Sequence, residues 1–214
     1  MSSDVVFRAF AVGDVPGQEP VRLDPAEERR AVAMAPAVAR RFRAGRMALR
    51  GFAGALLDVP PSELTADYCC PQCGRNADLA HGRPGYSLHG RPLPLLLSLA
   101  RAGDWILLAG MRAPAAGLRL GVDIEDPADV GFPGFDRTAL TAAEAATIGR
   151  TPERLRNAAR ARLWARKEAW LKMGGGGLRT APAAVDVLSR PGLRDLVPEE
   201  TGLPPHLASA MALG

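Results

Sequence analysis

Lysine is nearly missing from this chain. Of 27 Lys and Arg residues only Lys167 and Lys172 are lysine, and they stand in one segment, on either side of a glutamate. A general preference for arginine explains the swap elsewhere but not this cluster. Lysine is a compact, mobile point charge that suits phosphate, and arginine is a rigid fork. Aromatic residues are also scarce, at 5%, so a core must rest on Ala, Leu and Val. Cysteine occurs three times, as Cys69, Cys70 and Cys73. An odd number in a reducing compartment argues against a disulfide framework. With His81 nearby two readings stand: a zinc site of Cys70, Cys73 and His81, or a loop of reduced thiols. No apolar run approaches the roughly 20 residues of a membrane span. The longest, residues 93–99, contains Pro94 and Ser98. The first residues lack the basic and apolar regions of a secretion signal. The expectation is a cytoplasmic protein that does not enter the membrane.

What is present allows one large domain or two small lobes. The chain has 214 residues and a hydrophobic fraction of 47%, and two lobes are slightly favoured. Its 23 glycines and 19 prolines predict many loops. The net charge of +4 suits an anionic partner. There is no dense basic run, aromatic interleaving or DNA-binding motif, so that partner is expected to be a phosphorylated small molecule or an acidic protein rather than nucleic acid.

Along the chain, residues 5–12 read as a strand. Asp24-Pro25-Ala26-Glu27-Glu28 reads as a helix start with Asp24 as cap. A second helix follows Pro36 and runs through 40–57. Residues 69–94 are irregular. Residues 95–99 and 105–109 form a hairpin around a turn at 101–104. A linker at 112–117 divides an N-terminal lobe, 1–114, from a C-terminal lobe, 115–214. Residues 118–125 are a strand, and Thr141 with Glu144 has the spacing of a capping box. A long helix covers about 152–173 and stops at four glycines. A return strand is expected at 185–188.

The strand at 118–125 carries the first chemistry. Leu120, Val122 and Ile124 face one way, and Gly121, Asp123 and Glu125 face the other. Two carboxylates so close repel, and a cation or a basic side chain is needed between them. Gly121 on that face leaves room for a ligand. On the long helix Glu168 and Lys172 lie on one face, four apart. They make either a surface ion pair or, with Glu168 turned to the strand, a third oxygen ligand. Three carboxylates without paired histidines suit Mg²⁺ or Mn²⁺, which also bind substrate phosphate.

Gly121-Val122-Asp123-Ile124-Glu125, followed some forty positions later by Trp164-Ala165-Arg166-Lys167-Glu168-Ala169-Trp170-Leu171-Lys172, resembles the two signature motifs of the Sfp-type 4′-phosphopantetheinyl transferases. Arg43 and Arg46 lie in a stretch similar to that family's N-terminal basic helix. Gly82-Arg83-Pro84 is similar to its G-[KR]-P element. Ala100 and Arg101 depart from its S-x-S-H-[SA]-G element, with Arg101 in place of a histidine that helps hold the 3′-phosphate of coenzyme A. The resemblance implies an α/β fold of two similar, pseudo-symmetric lobes with a coenzyme A cleft between them. It also implies a monomer that transfers the phosphopantetheine arm of coenzyme A to a serine of acyl or peptidyl carrier proteins. By the same resemblance Asp123, Glu125 and Glu168 hold Mg²⁺, Lys167 and Lys172 contact the diphosphate, and Arg43, Arg46, Arg83 and Arg101 reach the phosphates. Lys172 would steady the leaving oxygen, and Glu168 would help take the serine proton. Phe132, Phe135 and Leu140 would either touch the carrier protein or pack within the lobe. The alternative reading is a catalytically altered module of the same fold that binds coenzyme A or carrier proteins.

Overall fold

Capping and alternation signals account for most of the first half of the chain. The computed structural model describes residues 5–14, 22–75 and 78–214. It is a mixed helix and sheet structure with several small antiparallel sheets. By internal contacts the chain divides into two compact units, Met1–Leu99 with Asp104–Leu118, and Ala100–Gly103 with Arg119–Gly214.

In the first unit strand β1 (Val6–Ala11) is followed by helices α1 (Pro25–Val32) and α2 (Pro36–Leu57). Both helices begin on a proline, whose fixed φ suits that position. Asp24 precedes α1, and its N–H donates to Glu27 Oε2 at 3.1 Å. Asp24 is the N-cap as expected and forms a capping box with Glu27, and its carboxylate has further partners. It accepts from Arg50 at 2.8 Å and from the Ala66 amide at 2.5 Å. Helix α2 ends because Asp58 turns left-handed, at φ 58, before the prolines are reached. Strand β2 (Leu64–Ala66) comes next, and the stretch expected to be irregular then contains four short strands, β3 (Cys69–Cys70), β4 (Gly74–Arg75), β5 (Tyr86–Leu88) and β6 (Arg91–Pro92). The hairpin strands β7 (Leu95–Ala102) and β8 (Trp105–Arg112) are longer than expected, so Arg101 lies on a strand rather than in the turn. The sheet order is β1-β8-β7. Leu49, Phe52, Leu97, Ile106 and Leu108 bury its core under α2, and each such side chain contributes about 1.5–3 kcal/mol.

The second unit opens with β9 (Leu120–Glu125) and continues through α3 (Phe135–Ala139), α4 (Ala142–Arg150) and α5 (Arg156–Gly174). Then come β10 (Leu193–Asp195), α6 (Pro198–Thr201) and β11 (Ala208–Leu213), in a sheet ordered β10-β11-β9. Gly175, left-handed at φ 75, closes α5. The return strand expected at 185–188 is not formed. The Val187 amide is taken by Glu144 Oε1 at 2.9 Å, and the Val185 carbonyl is taken by Lys167. Side chains satisfy that backbone, so no ladder is required. Among the described residues no helix is long and apolar enough to cross a membrane.

Candidate active site

Small residues bring α5 onto the sheet. Ala165, Ala169 and Met173 of α5 pack on Ala210 and Ala212 of β11, and Ala212 stands opposite Gly121 on β9. A Cβ on Gly121 would overlap the Ala169 carbonyl oxygen and sit 2.5 Å from the Met173 amide nitrogen. The space expected at Gly121 for a ligand is therefore filled by the helix backbone. Glycine's role here is close approach, and that approach delivers the side chains of α5 to Asp123 and Glu125.

Lys172 Nζ donates to Asp123 Oδ1 at 2.6 Å. The lysine is 31% exposed and the aspartate 5%. The basic side chain required beside the strand carboxylates is therefore Lys172, which pairs with the strand rather than with Glu168. Asp123 Oδ2 is buried and accepts no hydrogen bond. Burial raises the pKa of Asp123 against the pull of Lys172. Burial, then repulsion from Asp123, pushes Glu125 up to about 9. Glu168 is raised by burial and by Asp123 as well. Three acids thus act on one another electrostatically across β9 and α5, with one resident ammonium and one buried oxygen that has no donor. Hard oxygen donors with an unsatisfied site fit a divalent cation of the Mg²⁺ type. They do not form a closed cage: among the described residues, the one group of three ligands lying within 4.8 Å of one another is Cys70, Cys73 and His81.

Lys167 is not at this site. Its side chain is 0% exposed, and its Nζ meets Glu144 Oε2 at 2.6 Å, the Pro182 carbonyl at 2.9 Å and the Val185 carbonyl. The cause is helical geometry. Five residues turn an α-helix by about 140° beyond a full turn, so Lys167 and Lys172 leave different sides. The expected contact of Lys167 with a diphosphate is replaced by a buried ion pair. Its partner Glu144 was marked in the sequence only as a capping residue. It does cap: Thr141 Oγ1 accepts from the Glu144 amide at 3.3 Å, and Glu144 Oε2 accepts from the Thr141 amide at 2.8 Å. Asp195 of β10, which no motif marks, anchors α5 through Arg166 at 2.6 Å and Arg162 at 2.5 Å.

Of the four arginines, Arg43 is partly exposed and paired with Glu28 at 2.5 Å. Arg46 is packed inward. It lies over the rings of Tyr68 at 4.5 Å and Phe42 at 4.9 Å, donates to the Ala80 carbonyl at 3.1 Å, and stands 3.7 Å from buried Glu27. Glu27 itself accepts from Tyr68 Oη at 2.6 Å and Arg50 at 3.1 Å. Arg46 thus belongs to a buried network rather than to an open phosphate site. Arg83 is half-buried and its backbone pairs with Cys69. Arg101 is exposed and falls in the second unit, Arg83 in the first. Phe135 and Leu140 are core residues, whereas Phe132 is 57% exposed and meets Phe135 edge-on at 5.6 Å.

Among curated proteins none matches this chain. Residues 119–206, a span that holds Asp123, Glu125, Lys167, Glu168 and Lys172, match the family model described as the 4′-phosphopantetheinyl transferase superfamily.

Proposed function

We propose that this protein is an Sfp-type 4′-phosphopantetheinyl transferase, dependent on Mg²⁺ or Mn²⁺, that acts on acyl or peptidyl carrier proteins of polyketide or non-ribosomal peptide biosynthesis. The observation that carries the reading is the Lys172–Asp123 pair, with Glu125 and Glu168 near enough to act on Asp123 electrostatically, inside the span that matches the superfamily. Two of the three three-stranded sheets, β1-β8-β7 and β10-β11-β9, support the two-lobe reading. In each, the strand last in sequence lies in the middle, and a long helix follows the first strand.

In the proposed reaction the carrier serine hydroxyl oxygen bonds to the β-phosphorus of coenzyme A. The bond from that phosphorus to the bridging oxygen breaks, and adenosine 3′,5′-bisphosphate leaves with the electron pair. A divalent cation held by Asp123, Glu125 and Glu168 would neutralise charge on the diphosphate. Lys172 adds a fixed positive charge for the departing oxygen. In this reading Glu168 also helps take the serine proton. Arg43, Arg83 and Arg101 remain candidates for the other phosphates of coenzyme A.

Apo carrier protein, coenzyme A and Mg²⁺ are mixed with the enzyme and the carrier is weighed by mass spectrometry. Gain of one phosphopantetheine is the expected result. A carrier that stays unmodified across several carriers, while coenzyme A still binds, overturns the reading in favour of a binding module. The replacement of the serine and histidine by Ala100 and Arg101 is the feature that favours that second possibility.

A further inference from the structure

Cys70, Cys73 and His81 lie in the first unit, outside the span that matches the superfamily. Strands β3 and β4 form a two-stranded hairpin in which Cys70 stands opposite Gly74. The tight connection reads Cys70-Pro71-Gln72-Cys73-Gly74, and Gly74 is left-handed at φ 73, a conformation that suits glycine. It turns the chain back so that both thiols lie at one end of the hairpin. The third group arrives by backbone pairing. The Cys69 amide donates to the Arg83 carbonyl at 3.0 Å, and the Arg83 amide donates back at 2.8 Å. Gly82, at φ 92, allows this approach, because a Cβ there would stand 2.5 Å from the Cys69 carbonyl oxygen.

His81 Nε2 then lies 3.5 Å from Cys73 Sγ, and the ligand atoms of all three residues lie within 4.8 Å of one another. A sulfur at about 2.3 Å and an imidazole nitrogen at about 2.0–2.1 Å from one tetrahedral zinc are separated by about 3.5 Å. Two sulfurs and one nitrogen select zinc and related soft or borderline ions, not the hard cations that suit three carboxylates. Among the described residues, the apolar cluster at this corner has three buried members, Tyr68, Cys70 and Leu79.

We propose that Cys70, Cys73 and His81 bind one zinc ion. Binding displaces one proton from each thiol, and the neutral imidazole adds its lone pair. The site staples the segment that carries Ala80, whose carbonyl accepts from Arg30 at 3.2 Å and from Arg46 at 3.1 Å, and it fixes Arg83 beside β3. Its role is to hold structure, and it stands whether or not the transfer reaction does.

Tag-free protein, purified without chelator and dialysed against Mg²⁺, is assayed by elemental analysis. Metal-stripped protein is then titrated with Co²⁺, and thiolate-to-cobalt absorption is recorded. One zinc per chain and a tetrahedral cobalt spectrum are expected. Cys73→Ser and His81→Ala should weaken metal binding at least about tenfold. His81→Cys should restore zinc with an altered cobalt spectrum, which a mere folding defect would not do. Cys69→Ser and Asp123→Ala should retain zinc. Wild-type protein that carries no zinc and gives no thiolate band with Co²⁺ overturns the proposal, as does a Cys73→Ser variant that keeps its full zinc.

Discussion

Lys172 places a positive charge 2.6 Å from Asp123. Lys172→Ala should lower the rate of carrier modification by about 10²–10³, the usual cost of losing a fixed charge stabiliser in a transition state. Single-turnover kinetics with saturating coenzyme A would measure it, and a loss under threefold would remove Lys172 from the chemistry. Glu125 supplies a second test. Its pKa is raised from 4.5 to about 9, and those of Asp123 and Glu168 are raised too. Over that window the folded protein binds more protons than the unfolded chain, so stability of the metal-free protein should fall as pH rises from about 4.5 towards 9. Saturating Mg²⁺ should flatten the slope, because the cation takes the place of the protons. Urea midpoints with and without Mg²⁺ would show both effects; a metal-free midpoint that rises across the window contradicts them. These residues were legible in the sequence because alternation on a strand and four-residue spacing on a helix both encode a face. Lys167 was not, because standing beside Glu168 in sequence hides a turn of about 100° between adjacent helix positions.

The contact between α5 and β9 decides whether the acids meet, and two substitutions probe it. Gly121→Ala introduces a methyl into the Ala169 carbonyl. It should cost about 1–3 kcal/mol or more through overpacking and should weaken Mg²⁺ binding by displacing Glu168. Chemical denaturation and metal titration of one preparation measure the two effects, and normal values of both would show that α5 has room to move. Lys167→Met leaves Glu144 as an uncompensated buried charge, at a cost of about 3–5 kcal/mol. A double variant with Glu144→Gln should recover part of that stability, and no recovery would mean the pair is not coupled. Strand β11 was the least legible element against this helix. Ala208, Ala210 and Ala212 have low strand propensity, yet the close helix demands small residues there. The run at 185–188 has strand composition, but Lys167 and Glu144 claim its backbone. A local pattern carries no trace of a partner forty residues away.

For the whole molecule the net charge of +4 is the relevant quantity. An acidic carrier protein should be drawn by it, so KM for the carrier should rise several-fold as salt shortens the Debye length from about 10 Å towards 3 Å, with kcat little changed. A salt-independent KM would place recognition in apolar contacts, for which exposed Phe132 is a candidate. By internal contacts the chain divides at 118/119, with Ala100–Gly103 counted with the second unit. The central claim is that Asp123, Glu125 and Glu168 share one divalent cation. Mn²⁺ binding followed by electron paramagnetic resonance, in the presence of coenzyme A, tests it most directly. The account predicts one Mn²⁺ per chain, displaced by Mg²⁺, and an affinity at least about tenfold weaker in Asp123→Asn and Glu168→Gln alike. Unchanged Mn²⁺ affinity in Glu168→Gln would contradict it.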